Sequence, residues 1–203
     1  MQTEDIFITS KINDEQKKEV AKLYYKAFTK KFTYLWFFTK NERKAINVLI
    51  HSLQYEYAFY AVHEDKILGF IGLNKKKEIF FPSRYKAFLK SFRLLNATWR
   101  YLGHVIYRLT KDRLDNETMY IDPIVVSSEA RGKGIGTKLM NATFELTKQL
   151  NLKCLSLDVV DTNPQAKSLY EKLGFQVVKE VNTKIITKKA GFKKYYHMEK
   201  TKF

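Results

Sequence analysis

A single cysteine, Cys154, among 203 residues removes two common ways of holding a fold together. It cannot close an internal disulfide and cannot supply a cysteine-based zinc site. The 4 histidines are scattered and do not restore a metal reading. Breakers are few, with 3 Pro and 8 Gly, while 45% of residues are hydrophobic, which excludes a low-complexity or disordered chain. No apolar run approaches the roughly 20 residues that span a bilayer. The stretch Met1–Ser10 carries Glu4 and Asp5 and lacks the basic start and apolar run of a secretion signal. One globular domain over residues 1–203 in a reducing, cytoplasmic setting is therefore expected. Acid is the other scarcity, with 21 Asp+Glu against 37 Lys+Arg and a formal net charge of +16. That imbalance calls for an anionic partner, and nucleic acid, a membrane surface and a phosphate-rich cofactor all qualify.

What is present alternates helical and strand periods. Asn13 with Asp14, Glu15 and Gln16 reads as a capping box opening a helix that carries Val20, Leu23, Tyr24, Ala27 and Phe28. The aromatic run Phe32–Phe38 leads to a second helix ending near Leu53. Tyr57–Val62 and Ile67–Leu73 flank a short charged turn and predict a β-hairpin. Between residues 75 and 117, Tyr85, Phe92, Trp99 and Ile106 recur every seven positions beside Phe88, Leu95, Leu102 and Leu109. This is an amphipathic helical stripe with a break expected at Gly103. A strand over Met119–Val126, a helix from Gly134 to Leu150, a strand over Cys154–Val160, a helix opened by Asn163–Pro164 and stopped by Gly174, and strands 175–188 and 192–200 complete the chain.

The sharpest local feature is Arg131-Gly132-Lys133-Gly134-Ile135-Gly136-Thr137, set between a strand and a helix N-terminus. Glycines let backbone N–H groups approach an anion, and a helix start adds orphan donors and partial positive charge. A Walker loop would need Gly followed directly by Lys and Ser or Thr, but Thr137 separates Gly136 from Lys138. The G-x-G-x-G spacing also departs from the dinucleotide-binding fingerprint. A plain glycine-rich turn stays open on the loop alone.

Two blocks together resemble the GCN5-related N-acetyltransferases (GNAT). Arg131, Gly134 and Gly136 follow the strand Tyr120-Ile121-Asp122-Pro123-Ile124-Val125-Val126. Downstream come Leu157-Asp158-Val159, then Asn163, Ala166 and Tyr170 at the family's spacing, then Glu171-Lys172-Leu173-Gly174-Phe175. The resemblance is specific over residues 118–178, and the 75–117 insert and N-terminal helices lie outside it. It implies a mixed α/β acyltransferase fold whose central strands splay, with a helical insertion between its third and fourth strands. It further implies that Arg131, Gly132, Lys133, Gly134, Ile135, Gly136 and Thr137 hold the pyrophosphate of acetyl-CoA. Ile124, Val125 and Val126 would offer backbone bonds to the acetyl carbonyl and pantetheine arm, Asn163 would contact the arm beside Ala166, and Tyr170 would protonate the departing thiolate. No metal is implied. Asn163 as a plain cap and Tyr170 as a core aromatic are the competing readings.

The general base must be found from placement. By strand alternation Asp122 shares a face with Ile124 and Val126, which makes it the first candidate ahead of Glu56, His51 and Asp158. The acceptor is expected to be a small-molecule amine, with a protein N-terminus or lysine next, and the aromatic run Phe32–Phe38 is expected on the acceptor side or in the core. Between residues 75 and 113 eleven basic residues meet only Glu78 and Asp112. This insert reads as a solvated helix, a wall of the acceptor pocket, a homodimer contact, a nucleic-acid or ribosome-facing surface, or a membrane-surface helix.

Overall fold

The computed structural model describes residues 6–109, 115–183 and 187–203. Residues 1–5, the Lys111, Asp112 and Arg113 end of the basic insert, and residues 184–186 of an expected strand lie outside the described residues.

The described chain opens with a short strand that the sequence pattern did not announce, β1 (Phe7–Thr9), before α1 (Asp14–Ala27). The capping box at α1 forms in both directions, with Gln16 N–H donating to Asn13 Oδ1 at 2.9 Å and Asn13 N–H to Gln16 Oε1 at 3.0 Å. Gln16 Nε2 also donates to the carbonyl of Asp65 at 2.9 Å, tying the start of α1 to the hairpin turn. That hairpin is β2 (Ala58–His63) and β3 (Lys66–Lys75), joined by Glu64 and Asp65 at positive φ. Between α1 and the hairpin run α2 (Thr29–Lys31), a π-helical turn over Phe32–Trp36, and α3 (Glu42–Ser52).

A two-residue strand, β4 (Glu78–Ile79), folds back on β3 before α4 (Tyr85–Leu89) and α5 (Leu94–Leu109). The break expected at Gly103 does not occur. The helical insert is interrupted at residues 90–93 instead, and α5 runs through Gly103 because the ring of Phe38 packs there, where a Cβ would stand 2.7 Å from Phe38 Cε2. Then follow β5 (Thr118–Val126), α6 (Ile135–Gln149), β6 (Cys154–Val160), α7 (Pro164–Lys172), β7 (Gln176–Asn182) and β8 (Lys194–Lys200). The strand expected over 175–188 thus ends at Asn182.

The eight strands form one mixed sheet in the order β1-β2-β3-β5-β6-β8-β7, with β4 attached to β3. Among the described residues only β5 and β6 pair in parallel. One face is covered by α1, α3, α4 and α5 over a core rich in Tyr24, Phe32, Phe37, Phe70, Phe80 and Phe88, all essentially inaccessible. The other is covered by α6 and α7 over Ile71, Ile121, Leu139, Met140, Leu157 and Met198.

The run Phe32–Phe38 belongs mainly to the first core. Phe32 and Phe37 are fully buried, Leu35 and Trp36 nearly so, and the Phe32 ring meets Trp36 at 4.7 Å and Tyr24 at 5.3 Å. Of that run, Tyr34 and Phe38 reach the surface.

Candidate active site

The parallel pairing of β5 with β6 runs from Thr118 and Cys154 to Ile121 and Leu157 and stops, although β5 continues to Val126 and β6 to Val160. Beyond that point β5 pairs only with β3 and β6 only with β8, so the two central strands part as a V. Ser127 N–H donates to Leu68 O at 2.8 Å on β3. By strand alternation Val125 then also bonds toward β3, while the peptide groups of Ile124 and Val126 turn to the open side of the V. Side chains of Ile124 and Val126 pack on the α6–α7 face, and Val125 on the other.

The expected phosphate loop lies at the same end of β5. Gly132 and Gly134 have φ of 76° and 71°, the left-handed region that glycine occupies without strain, and a Cβ at either would meet nothing within 4 Å. Helix α6 starts at Gly134, which offers no side chain to cap it. The other long helices for which a cap is defined are treated differently. Asn13, Asn41 and Asn163 each place a side-chain oxygen on the first-turn N–H groups of α1, α3 and α7. The first-turn amides of Ile135, Gly136 and Thr137 therefore remain unclaimed by any side-chain cap, beside the exposed Arg131 and the half-buried Lys133. That is a donor set suited to a phosphate.

Across the cleft, Asn163 Oδ1 accepts from Ala166 N–H at 3.2 Å, so the cap reading of Asn163 is realised in the structure. Tyr170 is buried in the α6–α7 core, its ring 6.0 Å from that of Phe175. Burial pushes its phenol far above the ordinary range.

On the opposite face of the sheet a cavity of about 720 Å³ opens beside the V, lined among others by Tyr120, Asp122, Asp158, His197 and Glu199. Alternation from Ile124 and Val126 would put Asp122 on the α6–α7 face, and the structure corrects this. Ile71 pairs with Ile124 but Leu73 with Ile121, so one extra residue enters β5 at the cis Asp122–Pro123 peptide and the parity reverses. Gly72 on β3 makes room for the bulge, since a Cβ there would lie 2.8 Å from the Asp122 carbonyl oxygen. Asp122 consequently joins Tyr120 on the cavity side. Both Asp122 and Asp158 are the first residues past the last β5–β6 pair, one on each arm of the V.

Asp122 is held by Arg108 of α5, Nη1 to Oδ2 at 3.7 Å. Asp158 bonds His197 Nδ1 at 2.8 Å, and Glu199 Oε1 lies 3.3 Å from Nε2. The Asp158 hydrogen bond holds the imidazole above its usual range, against the opposing effect of burial. Tyr120 stacks on the same ring at 6.4 Å. The other base candidates, Glu56 and His51, do not line this cavity. His197 and Arg108 are the groups the sequence reading missed. Period-two alternation along 194–200 sets Tyr195, His197 and Glu199 on one face and could have marked the first, whereas Arg108 is brought in only by the docking of α5. Among the described residues no group of three or more His, Cys, Asp or Glu could hold a metal ion.

Solved structures share this fold. An N-acetyltransferase from Staphylococcus aureus Mu50 superposes with a TM-score of 0.68 at 18% identity, over 96% of this chain and 100% of that one. The acetyltransferase yncA from Salmonella typhimurium, described with its cofactor acetyl-CoA, gives 0.60 at 13% identity over 97% and 93%. In sequence, a Bos taurus thialysine N-epsilon-acetyltransferase is 32% identical over 79 residues, 39% of this chain and 46% of that protein. An N-alpha-acetyltransferase 30 from Schizosaccharomyces pombe is 34% identical over 76 residues, 37% and 51%. The chain thus spans about half the length of the curated relatives it matches. The model of the acetyltransferase (GNAT) family matches residues 17–175, from α1 through the split strands to the end of α7. That match takes in the uncapped glycine loop and the V together, and the chain belongs to the GNAT acetyltransferase family.

Proposed function

We propose that the protein transfers acetyl from acetyl-CoA to a primary amine of a small molecule, by direct attack within a ternary complex. The observation that carries this reading is the V between β5 and β6, with an uncapped helix start and cationic loop at one end and a carboxylate-bearing cavity on the opposite face. When bound, acetyl-CoA supplies the acetyl thioester. Arg131, Lys133 and the amides of Gly132 to Thr137 would bind its phosphates. The Ile124 and Val126 peptide groups would orient the arm, Val125 would fix the strand between them, and Asn163 would add a contact beside Ala166.

Acceptor recognition follows from charge. Asp115, Asp122, Asp158 and Glu199 line the cavity together with Lys76, Arg108, Lys179 and His197, so both signs of charge meet there in a chain whose net charge is +16. The carboxylates at the V, Asp122 and Asp158, are the groups that would receive an ammonium, and about 720 Å³ falls within the range of small-molecule sites. Asp122 would take the ammonium proton at one arm of the V. A second reading gives this task to His197, favoured by its bond to Asp158, which brings a stronger base to the other arm. Tyr170, a phenol that carries its proton at neutral pH, would donate to the leaving sulfur. We read the setting as cytoplasmic, in line with the composition.

The test is acetyl-CoA-dependent thiol release across monoamines, diamines, polyamines, aminoglycosides and peptides. Turnover that favours small polycationic amines is expected. Preference for peptide N-termini or lysines would shift the acceptor to a protein. CoA binding without release for any amine would make this a non-catalytic CoA-binding module, and RNA binding without CoA binding would replace the reading altogether.

A further inference from the structure

Helix α5 is amphipathic in the reverse sense. Its inward side carries the charges, with Arg100 Nη1 donating to the carbonyls of Phe37 (2.7 Å) and Phe38, Arg108 reaching Asp122, and Ala97 and His104 buried between them. Its outward side carries the apolar residues. Leu95, Trp99, Leu102, Ile106 and Leu109 follow at steps of four, three, four and three, which places them on one stripe. Their exposures are 83, 46, 51, 64 and 77%, so the stripe is open to solvent over most of its area, with Trp99 leaning on Phe38 and Leu109 reaching the rim of the 720 Å³ cavity at its far end. Soluble domains rarely leave such a continuous apolar strip uncovered.

The charge around the stripe identifies what would cover it. From Phe80 to Leu109 there is no Asp or Glu, and Arg84, Lys86, Lys90 and Arg93 are exposed in the segment leading into α5. We propose that the outer face of α5, preceded in the chain by these four exposed cations, docks on an anionic lipid surface. Sixteen residues of helix are about 24 Å long, too short and too firmly packed on its inner side to span a bilayer, but suited to lying in the interface plane. Trp99 packs against Phe38 in a tilted arrangement, ring centroids 5.7 Å apart, and lies under Arg100 at 4.4 Å, an amphipathic anchor at the edge of the stripe. Pairing of two such faces between copies of this chain would bring two acid-free segments of two +16 proteins together with nothing to answer their charge. Anionic headgroups answer it. The inference stands independently of the acyl-transfer reading.

Flotation of the full chain decides it, with vesicles of phosphatidylcholine and phosphatidylglycerol in equal parts and vesicles of phosphatidylcholine alone. Wild type should rise with the anionic vesicles at least about tenfold more than with the neutral ones. Its tryptophan emission should shift to the blue, a change that Trp99 would report because Trp36 is already buried. Leu102→Glu should lower flotation about tenfold while circular dichroism stays unchanged. If that variant misfolds, the Lys90→Glu/Arg93→Glu pair, which leaves the stripe intact, should give the loss instead. Wild type that stays down with both vesicles overturns the proposal, as does undiminished flotation of a folded Leu102→Glu or of the charge-reversed pair. A wild type that is dimeric in sedimentation, becomes monomeric with Leu102→Glu and ignores vesicles assigns the face to a second copy and overturns it equally.

Discussion

The α6–α7 side of the sheet and the α1–α5 side meet at the same V and are built by different means. On the first, helix ends do the work: a bare glycine start on α6, an Asn-capped start on α7, and between them backbone groups that no side chain has claimed. On the second, side chains do it: Asp122, Arg108, Asp158, His197 and Glu199 approach from β5, α5, β6 and β8. A cofactor common to many enzymes can be held by peptide groups and a short loop. A particular acceptor needs side chains gathered from distant parts of the chain, and that difference predicts which changes hurt binding and which hurt turnover.

The largest effect is expected on the acceptor side. Asp122→Asn removes the carboxylate at one arm of the V while keeping its shape, and should lower kcat about 10²–10⁴-fold with CoA affinity unchanged. A loss below about tenfold, together with a large loss in His197→Gln, would transfer the base to His197 and move the chemistry to the other arm. Steady-state rates and a CoA titration on both variants separate the two.

The same asymmetry explains what was legible beforehand. The start of α6 and the cap of α7 could be read residue by residue, because Gly134 and Asn163-Pro164 act through local geometry that neighbouring residues fix. The acceptor side could not. The bulge at Asp122 reversed its face; Pro123, which cannot donate to the ladder, marks within β5 where a bulge could fall, but that it does fall there is set by the register against β3, where Gly72 accommodates the Asp122 carbonyl. The stripe of α5 was visible as a period of seven, but periodicity cannot say which way a helix turns. Tyr85, Phe88 and Phe92 turn inward or pack at the junction, while the later members of both series turn outward because Arg100 and Arg108 find partners inside.

A second acceptor-side prediction concerns His104, whose ring nitrogens have no hydrogen-bond partner among the described residues and whose ring lies against Phe81, Phe37 and Phe88. Burial, with Arg108 adding to it, pushes its pKa down to about 3. The folded state therefore resists a proton that the unfolded chain takes up below about pH 6.5, so stability falls with pH across the range from 6.5 to 3. At 1.36 kcal/mol per pH unit this amounts to roughly 2 kcal/mol by pH 5. His104→Leu should remove that slope, and urea titrations at pH 7 and pH 5 would measure it. An equal acid sensitivity in the variant would mean that the loss arises elsewhere. On the cofactor side, Gly134→Val forces a branched side chain into the left-handed region at a cost of about 1–2 kcal/mol. CoA affinity should fall about tenfold with little change in turnover at saturation, the reverse of the Asp122 pattern.

The smallest effect contrasts two histidines on the same side of the sheet. His197 is shifted upward by its hydrogen bond to Asp158, the opposite of His104. A raised folded pKa contributes stability that is complete below the unfolded value of about 6.5 and is lost as pH rises through the folded value. Near neutrality the two slopes oppose one another, and on acidification only the His104 term keeps changing. Asp158→Asn should isolate the His197 contribution. A charge-assisted hydrogen bond is worth about 1.5–3 kcal/mol and a neutral one about 0.5–1.5, so the gap between wild type and variant should be about 1 kcal/mol wider at pH 6 than at pH 8.5. For a domain of this size that is about 2–4 °C in Tm. Imidazole proton shifts followed by NMR should show the His197 midpoint moving down in the variant. A gap that widens instead on the alkaline side would mean that Asp158 acts through a partner other than the imidazolium, and His197 would then lose its claim to be the stronger base at the V.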